Sequence, residues 1–162
     1  MTPAAQAILE ILIWSTVATL TMSAIMFGSQ NLGWSRLNMP LLLGTFFTEN
    51  RNSANTLGFL LNLLLGVLIA FFYYLLFGSI GAAGWWRGTL FGFVHGTLVL
   101  TAILPMLAYI HPRVASEYDG PSPLKRLEPP GFLALHYGRN TPLVTLVAHL
   151  VYGTILGAGF NV

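Results

Sequence analysis

No charged side chain occurs between Glu10 and Arg36, between Arg51 and Arg87, between Arg87 and Arg113, or after Arg139. Each gap exceeds the ~20 residues that a helix needs to cross ~30 Å of hydrocarbon. The gaps are filled with apolar residues, which make up 55% of the 162-residue chain, while Asp, Glu, Lys and Arg make up only 7%. A soluble domain carries about 25% charged residues. A chain this poor in charge cannot dress its surface for water, which excludes a soluble enzyme, a disordered segment and a nucleic-acid-binding protein. The expected fold is one all-α membrane domain over residues 1–162. It is a four-transmembrane-helix bundle with spans at about 7–29, 56–78, 86–110 and 142–160.

The basic residues give the expected orientation. Arg36 and Arg51 fall in the first loop, Arg113, Lys125, Arg126 and Arg139 in the third, and only Arg87 at the short middle loop. The positive-inside tendency places the first and third loops in the cytoplasm and both termini outside. Trp34, Trp85, Trp86 and Tyr109 sit near span ends, where aromatic belts form. The Met1-Thr2-Pro3 start lacks a basic n-region, so a cleaved signal peptide is not expected.

Each long loop contains a short apolar stretch, Leu41–Phe47 after Pro40 and Gly131–Tyr137 after Pro130, read as short interfacial helices. Asn38 and Pro40 are placed to start the first of them. The two loops also run in parallel. Pro40, an apolar piece, Arg51-Asn52 and a span match Pro130, an apolar piece, Arg139-Asn140 and a span. Asn62-x-x-x-Gly66 then aligns with His149-x-x-x-Gly153, an arrangement that two tandem helix pairs would produce.

Small residues recur every fourth position: Gly84, Gly88, Gly92 and Gly96; Gly58, Asn62, Gly66 and Ala70; Thr145, His149, Gly153 and Gly157; Ser15, Thr19 and Ser23. Such stripes share a helix face and let backbones approach in lipid, so they are the expected helix contacts. Pro105 is expected to kink or end the third span.

Ionisable residues inside spans are costly and stand as functional candidates. They are Glu10, His95 and His149, with Asn62 as a neutral polar partner. Counting ~1.5 Å per residue puts His95 roughly 10 Å below the outer face and His149, with Asn62, roughly 10 Å above the cytoplasmic face. At those depths the expected bonds join His149, across a glycine-lined contact, to Asn62 or a carbonyl, and His95 to helix-one hydroxyls. No cofactor is predicted on that reading. The alternative is a haem or (bacterio)chlorophyll held by His95 and His149. A second alternative is a small oligomeric transporter or channel lined by Glu10 or His95. The placement of Glu10 near a helix start resembles that in four-span, proton-coupled small multidrug transporters, and the helix dipole also favours a carboxylate there.

No cysteine is present, and no nucleophile, zinc, phosphate-loop or dinucleotide motif occurs, so no catalytic residue is assigned. His111 and His136 with Glu117, Asp119 or Glu128 lack short ligand spacing, so no metal site is expected. The resulting reading is a non-enzymatic accessory or structural subunit. Its partners are membrane lipids and other membrane-protein subunits or further copies of itself, and not nucleic acid.

Three segments, Pro129–Phe132, His136–Pro142 and Ala148–Gly153, resemble small bacterial four-span inner-membrane proteins of no assigned activity. His111-Pro112-Arg113 and Leu42–Thr45 fit the same pattern. The resemblance implies a bacterial inner-membrane location and carries no chemistry.

Overall fold

Helices begin in this chain where a short polar side chain can satisfy the first free backbone N–H groups. Thr2 accepts from Ala5 N at 3.3 Å and starts α1 (Pro3–Asn31). Asn38 accepts from Leu41 N at 2.9 Å and starts α2 (Met39–Gly44). Asn50 accepts from Ser53 N at 3.0 Å and starts α3 (Arg51–Ile80), which Gly81 ends in the left-handed region at φ 64°. This computed structural model describes residues 2–116 and 120–162.

The third span, Trp85–Ile110, is built from α4 (Trp85–Leu98), one wide π turn (Val99–Ile103) and α5 (Leu104–Ile110). The π turn lies one turn before Pro105. Proline donates no hydrogen bond and its ring crowds the carbonyl four residues back, a conflict that widening the preceding turn relieves. The last span is α6 (Thr141–Gly159).

Among the described residues four helices are thus long and apolar enough to cross a membrane, consistent with a four-helix bundle. They run past the limits of their apolar stretches because the helix continues to its cap rather than stopping where hydrophobicity does. The first extends to Pro3–Asn31 and the second to Arg51–Ile80.

In the bundle α1 packs against both α3 and α6, and α6 packs against α4. The outward faces carry bare apolar side chains, Ile8, Leu12, Leu64, Leu68 and Phe72 among them, as contact with lipid requires. The two long loops fold together at one end. Arg36 N donates to Tyr137 O at 2.7 Å and Ser35 and Thr141 share a buried hydroxyl bond of 2.9 Å, while within the second of these loops a parallel bridge joins Val114 to Leu127. The two short apolar stretches turn differently. α2 is a regular turn and a half against the start of α3, whereas Phe132–Tyr137 is a 3₁₀ segment with Leu133 and Ala134 at φ 55° and 56°.

Candidate functional site

The site is set by how closely two helices approach. A Cβ at Gly88 would run into the carbonyl of Gly153, one at Gly153 into that of Gly88, and one at Gly157 would stand 2.8 Å from Gly88 Cα. Gly84 N donates to Gly157 O at 2.8 Å, a backbone bond between two spans. Farther along, Gly92 meets the backbone of His149, and a Cβ at Gly96 would lie 2.9 Å from His149 Cβ. α4 and α6 therefore run antiparallel in contact over three turns, with His149 opposite the Gly92–Gly96 face.

This register puts His95 and His149 in direct contact, their ring centroids 4.7 Å apart at an interplanar angle of 89°. The ~10 Å separation in depth expected from counting residues is not present. That count treated all spans as equally long. α6 has 19 residues against 26 in Trp85–Ile110. With Gly157 level with Gly84, α6 starts on the order of 15 Å short of where the third span ends, given 1.5 Å per residue. His149 accordingly lies deeper than a span of full length would place it.

The expected bonds are also rearranged. His149 Nδ1 donates to Thr145 O on its own helix at 2.7 Å, and Asn62 Nδ2 donates to Ser23 Oγ across to α1 at 3.2 Å, so the two do not bond each other. His95 Nδ1 lies 3.4 Å from the Tyr73 hydroxyl on α3 rather than against α1. Tyr152, whose ring stacks edge-on against Tyr73, donates to Gly66 O at 2.6 Å. Gly66 itself is pressed on Thr19, and Gly58 on the backbone of Pro40 and Gly44, which seats α2 on α3.

Both histidines border a chamber of about 220 Å³ between α1, α3, α6 and the third span, together with Asn62, Thr145 and Tyr152. Thr145 is buried and its hydroxyl has no hydrogen-bond partner among the described residues. Three methionines, Met22, Met26 and Met39, complete the wall. Below the histidines the aromatic cluster of Tyr73, Phe77, Phe91 and Phe160 closes the bundle. Sequence reasoning missed the methionines, whose only signal was the four-residue spacing of Met22 and Met26 on one face of α1.

The geometry bears on each candidate ligand set. Two imidazoles on opposite sides of a tetrapyrrole iron need about 4 Å between their nitrogens alone, with the ring centres farther out. Rings 4.7 Å apart in edge contact leave no slot for a macrocycle between them. Glu10 is far from the pair: it accepts from Gln6 Nε2 at 3.0 Å and from Asn161 N at 3.2 Å, tying the start of α1 to the segment after α6. Among the described residues no three of His, Cys, Asp and Glu converge. Glu117 and Asp119 lie outside the described residues.

His111 and His136 have separate roles in the loop layer. His136, on the surface, bonds Pro129 O through Nδ1 at 3.0 Å. His111 is buried; its Nε2 donates to Leu42 O at 2.9 Å while Nδ1 accepts from Arg113 N at 3.0 Å. That pairing requires the neutral Nε2–H tautomer. Burial, above all, holds the imidazole below its ordinary pKa, the Leu42 bond opposes this, and Arg113 adds to it. The Arg113 guanidinium donates to Thr45 O and Phe46 O and faces Glu49 at 3.7 Å, so it caps the C-terminal carbonyls of α2. Arg36 pairs with Glu128 at 3.1 Å, and the Tyr137 phenol, pushed up to about 12 mainly by burial, donates to Glu128 O.

Compared with known protein families, curated proteins and solved structures, the chain finds no match in any of the three.

Proposed function

We propose that this multi-pass membrane protein binds a small ligand inside its own bundle, at the chamber where His95 and His149 meet, and performs no catalysis on it. One observation carries the reading: two ionisable rings on different spans are brought into contact on a cavity rather than dispersed as isolated polar contacts. Such groups are expensive in a bilayer and are kept where they line an interior site. The orphan Thr145 hydroxyl on the same wall is a further polar group awaiting a partner. The aromatic closure beyond the histidines favours a binding chamber over a through-path, and Glu10 does not line it.

In the cell we place the protein in a bacterial inner membrane, with the loop layer cytoplasmic because six of the seven basic residues belong to it or flank it. The accessory-subunit reading draws on the glycine-rich helix faces, most of which pack within the chain itself, and the chamber is the feature particular to this chain. Native mass spectrometry and elemental analysis of protein purified in lipid nanodiscs test the proposal. A ligand or metal should be retained near one equivalent by the wild type and lost from His95→Asn and His149→Asn. Nothing bound in the wild type, or equal retention in both variants, overturns it.

A further inference from the structure

The donors around the chamber are of one chemical kind. Three of the four described methionines line it, contributed by α1 (Met22, Met26) and by the start of α2 (Met39), together with the two imidazoles from α4 and α6. Among the described residues no Asp, Glu, Cys, Lys or Arg borders it. Methionine often fills irregular core gaps. Here the thioethers share one small cavity with the two histidines of the spans, and the fourth described methionine, Met106, is exposed on the third span.

Building on the chamber-binding reading, we propose that this cavity is a site for a soft monovalent metal ion, copper(I), with its donors drawn from Met22, Met26, Met39, His95 and His149. Thioether and imidazole ligands select copper(I) over hard cations. The charge balance points the same way. All five donors are neutral, so a monovalent ion leaves one net charge to be held in a low-dielectric interior, whereas a divalent ion leaves two at far greater cost.

The histidine geometry fits a ligand role. The Nδ1–H of His149 is committed to Thr145 O, which leaves Nε2 with its lone pair. A carbonyl behind the ring is the usual partner that orients a metal-binding histidine. A neighbouring cleft of about 290 Å³ between α1, α2 and α3 is also bordered by Met22, Met26 and Met39. The three methionines therefore border both the cleft and the chamber.

Wild-type protein in nanodiscs is titrated anaerobically with copper(I) against the chromogenic competitor bicinchoninate, with silver(I) and zinc(II) in parallel. One equivalent of copper(I) or silver(I) should be withheld, and zinc should compete at least tenfold less well. The combined Met22→Leu, Met26→Leu and Met39→Leu variant conserves volume and should weaken copper(I) binding at least tenfold with unchanged thermal unfolding. Silver(I) should also move the ¹⁵N resonances of His95 and His149 in the wild type, a readout that needs no variant. Unmoved histidine resonances, or equal affinity in the folded triple variant, overturn the metal assignment. An organic molecule retained without copper(I) competition overturns it while leaving the chamber reading intact, and retention of nothing at all removes both.

Discussion

The backbone N–H of Gly84 donates to the carbonyl of Gly157 across two membrane spans, an approach that leaves no room for a Cβ at Gly157, Gly88 or Gly153. Replacing Gly88 or Gly153 with Val should force α4 from α6. Overpacking of this kind costs about 1–3 kcal/mol, read as a shifted midpoint in detergent-induced unfolding. Gly78→Ala on α3, where a Cβ meets nothing within 4 Å, is the control and should leave stability equal or slightly raised.

The separated His95 and His149 rings that residue counting implies would titrate and cross-relax independently. In the structure they touch, so nuclear Overhauser contacts should connect the two imidazoles in the folded protein. Gly96→Leu, which places bulk against His149 Cβ, should abolish those contacts.

Tyr152 should contribute to holding α6 on α3 through its bond to the Gly66 carbonyl. Tyr152→Phe removes the hydroxyl and nothing else. Interhelical bonds in bilayers average about 0.6 kcal/mol and reach roughly 1.7, so a small unfolding shift is expected. A null shift would mean the carbonyl finds another donor.

Acidification should loosen the loop layer through His111. Its folded-state pKa lies below the ordinary 6.5. The unfolded chain therefore binds the proton more readily, and the stabilisation is complete above that value and lost as pH falls below it. A proton on Nδ1 would face the Arg113 N–H that now donates to it. Hydrogen exchange at Leu42–Phe47, corrected for intrinsic rate, should quicken below pH 6.5 in the wild type. It should stay flat in His111→Gln, which keeps a donor and does not titrate.

Arg113→Ala should expose the end of α2 at every pH. It strips the donor from the Thr45 and Phe46 carbonyls and frees Glu49. Bonds from charged groups contribute about 1.5–3 kcal/mol, and the loss should appear as faster proteolysis between Phe46 and Arg51.

The four spans were legible because charge is the dominant cost in hydrocarbon, so its absence over a long stretch marks a helix. The start of α2 was legible too, since Asn38 and Pro40 act on their own neighbours. The meeting of His95 with His149 was not, because it depends on the register of two helices and on the short length of α6. Arg113 was hidden for a related reason: its partners lie more than sixty residues away in the chain. Met22, Met26 and Met39 were invisible among apolar neighbours, since a thioether in a hydrophobic run reads as packing until a cavity lies beside it.

The wide turn at Val99–Ile103 gives the third span one residue of slack. Gly88, Gly92, Gly96, Leu100, Leu104 and Ala108 are all buried, a four-residue repeat that a plain helix of 3.6 residues per turn would carry steadily off one side. An extra residue in one turn restores about 100° of that drift. Deleting a residue here, unlike anywhere else in the span, would tighten the turn to an ordinary one while both halves kept their own faces. Length variation in this bundle has a designated place to occur.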